Sequence, residues 1–100
     1  MIIYNVTVNI ENSVSAEWLN WMQQKHIPEV MATGMFVDHR ILRLIGDEET
    51  GGTTYAIQYS AKTMDDYQRY RTEFAPALQK DALDHFGDKF TAFRTLLETV

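Results

Sequence analysis

The chain has 100 residues, 45% of them hydrophobic and 12% aromatic, which is the composition of one folded domain spanning residues 1–100 with a single core. A formal net charge of -5, with nine Lys and Arg scattered along the chain, argues against a nucleic-acid partner, and no apolar run is long enough for a membrane span. The absence of cysteine removes disulfides, thiolate nucleophiles and Cys-ligated metals, and with no signal-peptide pattern at the start the expected compartment is the cytoplasm.

Residues 2–10 alternate, with Ile2, Tyr4, Val6, Val8 and Ile10 on one face and Ile3, Asn5, Thr7 and Asn9 on the other, as a strand with one apolar and one largely polar face does. A first helix is expected to begin at an N-cap on Ser15, with Glu17 in its first turn. Trp18, Leu19, Met22, His26 and Val30 form its apolar stripe. Pro28 predicts a kink or a shift of phase, and Gly34 a C-terminal cap.

The run "FVDHRILRLI" is a second strand, Gly46 to Gly52 a hairpin loop, and "TTYAIQYS" a third strand. A second helical region follows over "KTMDDYQRYRTEFAPALQKDALDHFG", capped by Thr63 and kinked or split at Pro76. Taken as one helix, it lines up Tyr67, Tyr70, Phe74, Leu78, Ala82 and His85. The final strand, "DKFTAFRTLLETV", places Phe90, Ala92, Arg94 and Leu96 on one face and Thr91, Phe93, Thr95 and Leu97 on the other.

The order βαββαβ is the ferredoxin-like plan of an α+β domain: a four-stranded antiparallel sheet with both helices on one face. The other face carries apolar residues that water would meet, so a homodimer through that open sheet face is expected.

The layout resembles the dimeric α/β-barrel superfamily, in which two ferredoxin-like subunits pack sheet against sheet. More narrowly, "YNVTVNI", "WLNWMQQKHIPEVMATGMF", "TYAIQY" and "FRTLLE" resemble a family of short bacterial proteins classed only as a domain of unknown function. The wider superfamily implies a pocket between sheet and helices, and activities such as cofactor-independent monooxygenation, haem degradation and small-molecule isomerisation. Its haem-degrading branch uses an Asn on the first strand, a Trp on a later strand and a His on the second helix. Here Asn5, Asn9 and His85 match in position, but both tryptophans lie on the first helix, which departs from that pattern.

The sharpest chemical candidate is His26, an imidazole able to exchange a proton near neutrality with a carbonyl or phenolic ligand, or else a core-edge histidine satisfied structurally. Asn5, Thr7, Asn9, Gln58 and Ser60 form a polar set on central strands, lining either a ligand pocket or a hydrogen-bonded layer between subunits. In the pocket reading Asn5 and Gln58 orient a ligand, Trp18, Met22, Tyr55 and Tyr67 wall it, and Arg94 pairs with a ligand carboxylate or with an Asp or Glu of the protein. No cofactor and no metal set is expected, since His26 with Glu29 and Asp81 with His85 supply pairs only. The functional expectation is a dimeric small-molecule-binding protein with monooxygenase-like or isomerase-like chemistry, against a non-catalytic dimeric interaction module.

Overall fold

The computed structural model describes residues 1–46 and 51–100. Four antiparallel strands, β1 (Ile2–Glu11), β2 (Asp38–Arg43), β3 (Gly52–Ala61) and β4 (Phe90–Glu98), form one sheet in the order β2-β3-β1-β4. Four helices, α1 (Ser15–Trp21), α2 (Ile27–Ala32), α3 (Met64–Glu73) and α4 (Ala75–Phe86), make two arms, so the expected ferredoxin-like fold is present with each helical crossing broken once. The expected hairpin loop lies partly outside the described residues, at 47–50.

Strand register follows from side-chain alternation. Tyr4 lies opposite Tyr59, Val6 opposite Ile57 and Val8 opposite Tyr55, and on the other side Val6 meets Arg94 and Val8 meets Ala92. All of these share the face that holds the buried cluster, together with Trp18, Met22, Ile27 and Val30 from the helices. Ile10, Ile57 and Val30 are fully buried, so the core runs through β1 and β3, the two central strands. Because the side-chain period of a strand is two, Asn5, Thr7, Asn9, Gln58 and Ser60 are carried to the opposite face.

The first helical arm starts earlier than expected. A 3-10 turn over Asn12–Val14 precedes α1, and Ser15 is inside the helix, with its hydroxyl donating back to the Asn12 carbonyl at 3.2 Å instead of capping. Pro28 shifts the phase as expected, through one wide turn over Met22–His26 in which the Ile27 amide bonds the Met22 carbonyl, five residues back. In a regular helix the Pro28 ring would crowd the Gln24 carbonyl, and a wide turn is one way a helix relieves such crowding. The arm ends where Gly34 takes a φ of 78°, a conformation that costs other residues a Cβ clash.

The second arm splits at Phe74, two residues before Pro76. Thr63 caps α3 as expected, accepting from the Asp66 amide at 3.1 Å. Restarting the helix at Ala75 changes the buried row of α4 to Ala75, Leu78, Ala82 and Phe86. His85, expected at the end of that row, is therefore exposed, with Nδ1 3.1 Å from the Asp81 carbonyl oxygen.

Candidate functional site

A cavity of about 260 Å³ lies between the sheet and the two helical arms. Its floor is Tyr4, Val6 and Val8 of β1 with Ile57 and Tyr59 of β3, and its far wall is Phe90, Ala92 and Arg94 of β4. Trp18, Met22 and His26 close it from the first arm, and Tyr70, Leu78, Gln79 and Ala82 from the second. The lining is apolar apart from one imidazole, one guanidinium, one amide and three phenol hydroxyls, the mix of greasy walls and few polar groups that small-molecule sites show.

The wide turn sets a second ring against His26. In a regular α-helix, residues five apart point about 140° away from each other, yet Trp21 and His26 stack at 4.9 Å with planes 24° apart. The extra residue in the turn brings the two rings over one another. The stack, with His85 at 5.2 Å and Phe86 at 5.4 Å on the same indole, packs Trp21 into the core, although helical spacing had left it off the apolar stripe.

Burial pushes the His26 pKa down from 6.5, against the opposing pull of Glu29 and Asp81 and with help from the charges of Lys25 and Arg94. The ring is therefore neutral at neutral pH. Its Nδ1 is enclosed and meets no hydrogen-bond partner among the described residues. The neutral form tolerates this best, since a charged ring would leave an N–H donor buried and unpaired. Nε2 is then the nitrogen through which His26 can meet a ligand.

The sign of the resulting pH dependence is fixed. The folded-state pKa lies below the unfolded one, so the unfolded chain takes up the proton first as pH falls below 6.5. The stability held by neutral His26 is complete above that value and is lost as pH falls through the lower folded-state pKa. We expect His26→Gln to remove part of the loss of melting temperature seen between neutral and mildly acidic pH. Parallel pH profiles for the two proteins would contradict a depressed His26 pKa.

Arg94 is exposed as a residue, and its Nε donates to the Tyr4 hydroxyl at 3.0 Å across the β1–β4 pair. The expectation of an Asp or Glu partner within the chain is not met among the described residues: the partner is a neutral phenol. Burial raises the Tyr4 pKa while Arg94 opposes the shift, and burial raises those of Tyr59 and Tyr70 further. These phenols are neutral and act as donors and acceptors, not as bases.

The residues singled out in the sequence divide between the two faces. Trp18, Met22, His26 and Arg94 share the cavity. Tyr55 lies behind it, tilted against Trp18 at 5.0 Å, and Tyr67 lines a smaller neighbouring recess with Tyr4, Tyr70 and Arg94. Asn5 and Gln58 do not join them. The register turns both onto the open face, where Gln58 Nε2 donates to Asn5 Oδ1 at 3.2 Å, Asn5 Nδ2 donates to Thr7 and Thr95, and Arg40 Nε donates to Gln58 Oε1 at 2.7 Å. Asn9 bonds Thr54 on the same face. The polar set is thus a hydrogen-bonded layer with its own partners, separated from His26 by the thickness of the sheet.

The rings of Tyr59 and Tyr70 line the cavity as well, as do Gln79 and Phe90, which were not expected there. Phe90 was on the right strand face, but whether that face meets the cavity depends on register. Gln79 comes to the wall only because α4 restarts after Phe74. Outside the cavity, Lys25 bonds both Glu29 at 3.0 Å and Asp81 at 2.8 Å, joining the first arm to α4 beside the His26–Trp21 stack.

The groups of the haem-degrading pattern are not assembled. Asn5 and Asn9 face away from the cavity, His85 is exposed, and both tryptophans come from the first arm, so these residues do not fit a haem.

Residues 1–100 match the family described as "Domain of unknown function (DUF4286)". No curated protein matches the chain in sequence. Among solved structures, a mutant of MhuD, described with two manganese protoporphyrin IX bound per active site, superposes with a TM-score of 0.73 at 16% identity, covering 100% of this chain and 95% of that one. A dimeric ferredoxin-like protein from an uncultured marine organism gives 0.70 at 11% identity over 99% and 96% of the two chains. SnoaB, a cofactor-independent oxygenase from Streptomyces nogalater, gives 0.67 at 14% identity over 99% and 93%. At these identities the likeness is one of fold.

Proposed function

We propose that this chain, which belongs to the DUF4286 family over residues 1–100, is a homodimer that binds a small organic molecule between sheet and helices and uses His26 for proton transfer on it. One observation carries the reading: an apolar cavity of about 260 Å³ has on its wall a neutral, half-enclosed imidazole and a guanidinium that has no carboxylate partner among the described residues. A purely structural core would fill that space with side chains. The volume lies just below the usual range of about 300–1,000 Å³ for ligand sites, which suits a single-ring molecule and not a macrocycle or a fused polycycle.

As a base at Nε2, neutral His26 can take a proton from a phenolic or enolisable group and, as the imidazolium so formed, return it to a carbon or a carbonyl oxygen, the proton transfer with which cofactor-independent oxygenation or isomerisation begins. The fold shared with a cofactor-independent oxygenase is compatible with such chemistry. The open face supports the dimer. Phe93, Leu97 and Leu42 are exposed there beside the Arg40–Gln58–Asn5–Thr95 layer, an apolar surface with a satisfied polar strip of the kind a second copy covers.

A metabolite-library thermal-shift screen tests the pocket by comparing the parent with Ala82→Phe, whose added ring enters the cavity from α4. Hits that raise the melting temperature of the parent should have no effect on Ala82→Phe, with Ala92→Leu as a second plug entering from the sheet. Hits that stabilise all three folded proteins equally would place the ligand elsewhere.

A further inference from the structure

The geometry points to a more specific ligand: a singly charged carboxylate on one planar ring, held with its anion against Arg94 at the cavity mouth and its ring inside against Trp18, Met22 and Phe90. This inference rests on the cavity reading above and narrows the class of molecule.

Four features select that class. Among the described residues, Arg94 is the only Lys or Arg that lines the cavity, and no Asp or Glu lines it. Its Nε is committed to Tyr4 at 3.0 Å, which fixes the guanidinium plane and leaves the two terminal NH2 groups without a partner among the described residues. Two parallel N–H donors on a fixed plane match the two oxygens of a carboxylate. The Tyr4 hydroxyl, in accepting from Arg94, keeps its own proton to donate beside the same point.

The position of Arg94 in the fold sets it apart from the proposed subunit contact. It points to the helix side of β4, in register with Val6, whereas that contact uses the opposite face.

The charge count excludes larger anions. A phosphate monoester brings close to two negative charges and three oxygens, which sites meet with several cationic or backbone donors, and this wall offers one guanidinium. Past Arg94 the polar groups on the wall are all neutral, the Tyr4, Tyr59 and Tyr70 hydroxyls, the Gln79 amide and the His26 ring, so a second anionic group would meet no countercharge. The exposure of Arg94 keeps the carboxylate partly hydrated at the entrance.

The test uses 4-hydroxybenzoate, its neutral amide 4-hydroxybenzamide, and phenyl phosphate as probes, titrated into the parent, Arg94→Met and Arg94→Lys by calorimetry or NMR. The parent should bind 4-hydroxybenzoate at least about tenfold more tightly than the amide, the scale of one charge-assisted pair, and more tightly than phenyl phosphate. Arg94→Met should bring the carboxylate down to the level of the amide without weakening the amide, and Arg94→Lys should keep part of the preference. Equal binding of acid and amide by the parent, a preference for phenyl phosphate, or a preference that survives in Arg94→Met would overturn the carboxylate assignment. Failure of all three probes would overturn it too. The cavity reading fails separately, when the Ala82→Phe plug leaves library hits unaffected.

Discussion

Replacing Phe93 with aspartate is expected to convert the protein from a dimer into 11.6 kDa monomers at micromolar concentration. Phe93 stands on the open face of β4, 63% exposed in the single chain, with Leu97 further along the same face of the strand and Leu42 on the far edge strand of the same sheet. A two-fold contact through this face uses each residue twice. Losing the burial of one phenylalanine costs about 1.5–3 kcal/mol, so a symmetric dimer loses about twice that, or roughly two to four decades in dissociation constant. The aspartate adds the cost of desolvating a charge on each side. Because Phe93 is not part of the buried cluster, the subunit itself should stay folded, with an unchanged far-UV spectrum. Sedimentation velocity on both proteins is the check, and a dimer that survives Phe93→Asp would remove the open face from the subunit contact.

Trp18→Ala is expected to cost about 3–5 kcal/mol of unfolding free energy, the range for emptying a large aromatic site. Trp18 is 2% exposed, packs on Tyr55 at 5.0 Å, and is the point at which α1 meets the sheet. The existing cavity adjoins it, so truncation enlarges a void instead of letting the neighbours close over a small one. For a domain of this size the loss is a large part of a total of about 5–15 kcal/mol and lowers the melting temperature by about 4–8 °C per kcal/mol. Urea unfolding measures it, with Leu83→Ala as a control, because Leu83 is 58% exposed and should change stability by less than about 1 kcal/mol. A loss for Trp18→Ala no greater than the control would mean that α1 is not anchored where the structure places it.

Much of the architecture was legible because its periods are strong. The alternation over residues 2–10 correctly separated the buried from the open face of β1, and the same pattern placed Arg94 and Phe93 on opposite faces of β4. Pro28 and Pro76 announced both helix breaks. Their form was not legible, since a wide turn over Met22–His26 and a split at Phe74 are alternative answers to the same missing N–H.

The site was harder to read, for the reason that makes sheets hard in general. Whether Asn5 and Gln58 meet His26 depends on which face the helices cover, and one strand's alternation does not choose it. The structure gives the apolar face to the helices, so Tyr4 and Arg94 become the polar neighbours of His26 in the cavity. That pair joins residues 90 positions apart through a register that no local signal carries. The stack of Trp21 on His26 was hidden because helical spacing separates residues five apart.

A small molecule seated between sheet and helices against His26 should announce itself on one face of the sheet and not on the other. Side-chain NMR of the protein during titration with a thermal-shift hit distinguishes the two, following the His26 imidazole, the Trp18 and Trp21 indoles and the Asn5 and Gln58 amides. Saturable shifts are expected at His26 and Trp18, with the Asn5 and Gln58 amides nearly unmoved on the opposite face. Shifts confined to Asn5 and Gln58, with His26 unchanged at saturation, would put the ligand on the open face and remove His26 from the site.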